Sequence, residues 1–154
     1  MSGFIANGNA GDEAVIANSE FWPSIDPIAL RAAMRIDGAV APDRLRSTIV
    51  AVALEVNADL AKWRAQQQNA GFEKLNDVPS EHIDGVSRLA QLYLRAIACG
   101  TAAELAQRYR SYDTAAAGDK RADDLTPSID ELRRDLRFAV RDFLGASRIT
   151  VELI

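Results

Sequence analysis

The chain has 154 residues, one domain's worth and long enough to bury a real core. Hydrophobic residues make up 48% and charged residues 26%, the composition of a globular protein. The net charge is −4, and it is unevenly spread: Asp12, Glu13, Glu20 and Asp26 fall in residues 1–26, which hold no Lys or Arg. The remaining acidic residues, 22 less those four, match the 18 basic ones, and a balanced body with a pI near 5.0 argues against groove-reading DNA binding.

Taken in chain order, residues 1–20 are rich in Gly, Asn, Ala and Ser and read as a flexible N-terminal arm. They contain no basic residue and no continuous apolar run. No later stretch approaches the ~18 apolar residues of a membrane span. The expectation is a soluble protein without leader or anchor, folded in a cytoplasm. The single cysteine, Cys99, fits a reducing compartment.

"FWPSIDP" introduces the first helix, with Asp26 as N-cap and Pro27 at the first helical position. "IDG" ends it, with Gly38 taking the turn. A second helix starts at "APDRL" and runs to about Gln68. Leu45, Ile49, Val52, Val56, Leu60 and Trp63 form its apolar stripe. "GFEKLNDVPSEHIDG" reads as a connector carrying turn residues. The third helix covers about Val86 to Tyr112, and its centre, "AIACGTAA", is small enough for another long helix to cross closely. Gly100 in mid-helix costs about 1 kcal/mol relative to Ala, so a packing reason is expected for it.

"SYDTAAAGDKRADDLTP" has no apolar periodicity, and loops of this length are functional or disordered. The fourth helix opens on "SIDE", a capping box of Ser128 and Glu131, and ends at Gly145. It turns Ile129, Leu132, Leu136, Val140 and Phe143 inward. The closing "RITVELI" changes period: Ile149, Val151 and Leu153 alternate with Thr150 and Glu152, as in a strand. The predicted fold class is all-α, a bundle of about four helices, two of them long. An N-terminal arm (1–20), a bundle domain (21–145) and a strand-like C-terminal tail (146–154) divide the chain.

Enzymatic chemistry finds no support. His82 is the only histidine, so neither a Glu-x-x-His pair nor a Cys/His metal cluster can be built, and no cofactor is expected. Cys99 lies on an apolar helix face, where an inert thiol is the usual finding. There is no G-x-G-x-x-G and no Walker-type loop. Asp123 and Asp124 read as solvated charge. Arg133, Arg137 and Arg141, at i, i+4 and i+8 with Arg134 alongside, offer contacts for phosphates or an acidic partner; a solvated face laced with Asp130, Asp135 and Asp142 is the plainer reading. Asp119, Lys120 and Arg121 in "GDKRADD" mark a docking loop or a solvated one.

An alternating apolar heptapeptide left uncovered is an aggregation hazard. The tail therefore either folds back against the N-terminal "AVIA" or adds a strand to another subunit. Phe21 and Trp22 either anchor the arm on a partner or pack onto the bundle itself.

Beyond these physical signals, "FWPSID", "LYLRAIACGTAAELAQRYRSYDT", "GDKRADDLTPSIDELRRDLRFAVRDFLG" and "TVELI" resemble the head completion (head stabilisation) protein family of temperate, contractile-tailed bacteriophages. The resemblance runs from about Val15 to Ile154. It implies a structural virion protein that attaches at the portal vertex after the genome is packed, stabilises the filled head and prepares it for tail joining. In layout the family is also similar to helical adaptor proteins that form a ring of about twelve copies under the portal, an analogy of fold and role. The partners implied are the portal protein, neighbouring copies, a tail completion protein and the double-stranded DNA that passes through. The location implied is the virion's head-to-tail connector, with assembly in the host cytoplasm. On this reading Phe21, Trp22, Asp119, Lys120, Arg121, Ile149, Val151 and Leu153 are candidate partner or oligomer contacts. Arg133, Arg137 and Arg141 would face the DNA channel or an acidic neighbour. A helical assembly factor or chaperone, and a non-specific DNA-binding protein, are the competing classes.

Overall fold

The computed structural model describes residues 13–110 and 127–146. Its described residues form five helices and one small hairpin. The first helix, α1 (Pro27–Ala33), begins where the sequence predicts: Asp26 Oδ1 accepts from Ile28 N at 2.9 Å and Ala29 N at 3.2 Å, with Pro27 directly after it. Its end differs. Arg35, not Gly38, takes the left-handed backbone, with φ 53°. Ile36 N donates to Arg31 O (2.9 Å) and Arg35 N to Ala32 O (3.3 Å), the paired bonds of a Schellman motif. Arg31 steadies the turn that follows by donating to the carbonyls of Asp37 (2.8 Å) and Val40 (2.9 Å).

The second predicted helix is two. α2 (Pro42–Asp59) and α3 (Ala61–Asn69) meet at Leu60, whose ψ of 2° lies outside the helical range. Hydrogen bonds still cross the joint, Leu60 N to Val56 O (3.1 Å) and Arg64 N to Leu60 O (2.9 Å), so the chain bends there without unravelling. No Gly or Pro marks the place. Leu60 is 1% exposed, and its packing overrides a locally continuous helical pattern.

A Schellman motif at Gly71 (φ 97°) stops α3, and a short 3-10 turn at Leu75–Asp77 follows. The predicted connector then holds a hairpin, β1 (His82–Ile83) against β2 (Val86–Ser87), with Ile83 facing Val86. Asp84 and Gly85 both have positive φ, 53° and 71°, as a two-residue primed turn requires. Gln91 clamps the hairpin by donating to the carbonyls of Ile83 and Val86. The described residues are thus mostly helical, with two short strands among them that the helical reading did not include.

α4 (Arg88–Arg110) is the longest helix at 23 residues, about 35 Å. α5 (Ile129–Phe143) opens on the expected capping box. Ser128 N donates to Glu131 Oε2 at 2.7 Å, and Glu131 N donates to Ser128 Oγ at 3.2 Å. α2 and α5 both pack on α4. Both reach Gly100, where a Cβ would lie 2.6 Å from Val52 Cγ1 and 2.7 Å from Leu136 Cδ1. The small centre of α4 therefore serves close approach, as its composition predicts.

Gly100→Ala inserts a methyl group into occupied space. We expect a net loss of about 1–3 kcal/mol by urea denaturation, although Ala is the better helix former. Because the new methyl competes with Val52, the double variant Gly100→Ala, Val52→Ala should lose less than the sum of the two single losses.

Candidate interaction surfaces

The residues expected to carry an exposed N-terminal arm are largely committed to the chain's own core. Ile16 and Ile25 form an antiparallel bridge, Glu13 pairs with Arg31, and Arg46 Nη1 donates to Ala14 O at 2.8 Å. Residues 13–20, read from sequence as the end of a flexible arm, are held against α1 and α2 by these bonds; residues 1–12 lie outside the described residues. Phe21 and Trp22 are 3% and 4% exposed. Trp22 stacks flat on Tyr93 of α4, with centroids 4.7 Å apart and planes 5° apart, and meets Phe21 edge-on at 5.0 Å. Phe143 of α5 meets Trp63 of α3 edge-on at 4.6 Å. This cluster leaves neither Phe21 nor Trp22 a free face for a partner; they pack onto the bundle itself. Burial, not exposure, is what their hydrophobic area favours.

Beside the cluster three polar side chains close a ring. Asn18 Nδ2 donates to Tyr93 OH (2.7 Å), Tyr93 OH donates to Asn57 Oδ1 (2.7 Å), and Asn57 Nδ2 donates to Asn18 Oδ1 (3.1 Å). Tyr93 is 1% exposed. Burial drives its pKa from 10.0 up to about 12, against the opposing pull of its hydrogen bonds with Asn18 and Asn57. The ring pins the N-terminal segment to α2 and α4 at one point.

The outward surface is where recognition is available. Arg133, Arg137 and Arg141 are all exposed along α5, and Arg133 donates to Gln107 of α4. Asp119, Lys120 and Arg121 lie outside the described residues, as do Ile149, Val151 and Leu153. His82 is exposed, with Nδ1 2.9 Å from Ser80 O, and no cluster of metal-binding side chains occurs among the described residues. Cys99 is buried, and that burial pushes its thiol pKa up, away from the reactive thiolate. No helix of the described residues is long and apolar enough to cross a membrane.

Two apolar features went unread in the sequence. Val50 and Leu54, one turn apart on α2, are 40% and 66% exposed. They stand off the buried stripe, beside a groove of about 210 Å³ bordered by Ile16 and Ala17. Their i, i+4 spacing was the available signal, hidden by the stronger stripe alongside. A second groove, of about 560 Å³, runs between α1, α4 and the start of α5, lined by Leu30, Met34, Leu94, Ala98 and Leu132.

Comparison with known proteins gives the context for these surfaces. Residues 16–154 match the family model for phage head completion protein (GPL). The head completion/stabilization protein of Escherichia phage P2 is 46% identical over 145 residues, covering 94% of this chain and 86% of that protein. No solved structure matches.

Tyr93 gives a pH test of the buried ring. Its folded pKa lies above its ordinary value, so its protonated form is favoured by folding. The contribution is complete below pH 10 and is lost as pH rises towards 12, with a slope approaching about 1.4 kcal/mol per pH unit. Denaturant midpoints between pH 8 and 11 should therefore fall more steeply for the natural chain than for Tyr93→Phe. Trp22→Ala should cost about 3–5 kcal/mol in the same assay, the mark of a core side chain.

Proposed function

The chain belongs to the phage head completion protein family, and from that membership we propose that it is a structural subunit of the head-to-tail connector. It attaches below the portal once the genome is packed, stabilises the filled head and presents a surface to the tail completion protein. The observation that carries this reading is the extent of the family match, which spans the bundle and the strand-like segment at residues 149–153.

The physical chemistry of the chain supports a ring subunit. Its charge is balanced outside the acidic first 26 residues, so a channel lined by it would let duplex DNA slide; a strongly basic lining would grip the phosphates. Repetition around a ring makes a weak single contact durable. With Phe21 and Trp22 enclosed in the core, contacts to the portal or to neighbouring copies fall to other groups: Asp119, Lys120 and Arg121, and the segment carrying Ile149, Val151 and Leu153. The exposed arginines Arg133, Arg137 and Arg141 serve an acidic neighbour or the passing DNA.

Mixing the purified protein with a purified ring of its cognate portal tests the reading by light scattering after gel filtration. The intact chain should add mass to the ring. A chain ending at Ala146 should add less or none, which would make the C-terminal segment a clasp, either on the portal or between copies in the ring. If the truncated chain binds equally, attachment runs through the bundle. If neither binds portal rings nor DNA-filled heads, the connector reading fails. Replacing Arg133, Arg137 and Arg141 together by Ala should weaken attachment and flatten its dependence on salt.

A further inference from the structure

The N-terminal segment presents a free backbone edge beside uncovered apolar side chains. Ile16 N donates to Ile25 O at 2.7 Å, and Ile25 N donates to Ile16 O at 3.0 Å. In a pair bonded this way the flanking N–H and C=O groups point to the other side. Those of Val15 and Ala17 have no hydrogen bond among the described residues. Along this edge lies the groove where α2 leaves Val50 and Leu54 exposed. An open edge next to an apolar floor is what a strand with one apolar face binds, and left bare it invites unwanted pairing.

We propose that this edge receives residues 149–153 of a second copy of the chain. The incoming backbone pairs with Val15 and Ala17. Ile149, Val151 and Leu153 lie on the same face as the buried Ile16 and descend onto Val50 and Leu54, while Thr150 and Glu152 face solvent. Exposed Arg46, one turn before Val50 on the same face of α2, holds Ala14 O at 2.8 Å and so fixes this edge over the apolar floor.

The geometry favours another copy over the chain's own tail. Val52 faces α4 and α5, against Gly100 and close to Leu136. Leu54 is two residues further on and turned by about 200°, so the groove opens away from both helices. The C-terminal segment departs from the end of α5, where Phe143 packs on Trp63. Ile149, the first residue that must lie in the groove, reaches at most about 10 Å beyond Ala146, less than one helix spacing plus the radius of α2, so residues 149–153 of the same chain do not all fit along the groove. The inference deepens the ring reading above and rests on it for the meeting of two copies.

Disulfide trapping between distinguishable copies tests it. One tagged copy carries Leu54→Cys; the other carries Ile149→Cys, Val151→Cys or Leu153→Cys in turn. The pairs are mixed on cognate portal rings and also as free protein at high concentration, then oxidised mildly. At least one pair should link the two copies well above a control with Ile83→Cys, which is as exposed but lies on the hairpin. If the chain adds mass to the portal ring and no pair exceeds the control, the inference is overturned and the ring reading stands. A chain carrying both cysteines that closes only on itself assigns the groove to its own tail, and links from the tail to portal assign the tail elsewhere; either result overturns the proposal. If no mass is added to the ring, the connector reading fails and the free-protein arm alone decides the inference.

Discussion

The stacking of Trp22 on Tyr93 is the contact on which the rest of the packing depends. It joins a segment with almost no secondary structure of its own to the longest helix, and Trp63 and Phe143 bring α3 and α5 to the same place. A residue preceding the first helix thus sits at the centre of the fold. Trp22 Nε1 is buried without a hydrogen-bond partner among the described residues, a cost of about 1–3 kcal/mol that the aromatic burial around it must exceed. The polar ring of Asn18, Asn57 and Tyr93 lies against this stack. It gives the region a unique register, which apolar contact alone specifies poorly.

Much of the fold was legible because its signals are local. Asp26 followed by Pro27, the Ser128–Glu131 box and Gly145 each act within a turn of their own position, and each does what its chemistry predicts. Gly100 was legible for another reason: a helix tolerates glycine in its centre only where something gains from the missing side chain. What escaped was tertiary in origin. The bend at Leu60 carries no Gly or Pro and follows from where Leu60 is buried. The left-handed Arg35 is held by the bonds that Arg31 makes to the turn beyond it, and no propensity marks an arginine for that role. The Asp84–Gly85 hairpin did leave a signal, but two-residue strands are too short to show a period.

The candidate surfaces were legible to a lesser degree. Aromatic residues near an end of a chain suit an anchor and a core equally well in composition, and only packing separates the two. For Phe21 and Trp22 packing chose the core. On the function proposed above, that choice leaves recognition to the exposed arginines of α5, to the apolar pair Val50 and Leu54, and to segments whose composition is polar or alternating. A structural phage protein that must join other components is well served by this division.

The last turn of α5 bears on how such a segment is aimed. Gly145 adopts φ 68°, and Ala146 N donates to Arg141 O at 3.0 Å, so the helix is sealed and the backbone swings off its axis at one residue. The direction in which the backbone leaves α5 is therefore set at Gly145, anchored to a helix whose Phe143 is 3% exposed. Glycine holds that torsion with little strain, where most other residues would be pushed towards a different one. A change at this hinge would re-aim the C-terminal segment without altering one of its side chains. On the proposed assembly role, a loss of assembly traced to position 145 would then reflect direction of approach, with residues 149–153 themselves unchanged.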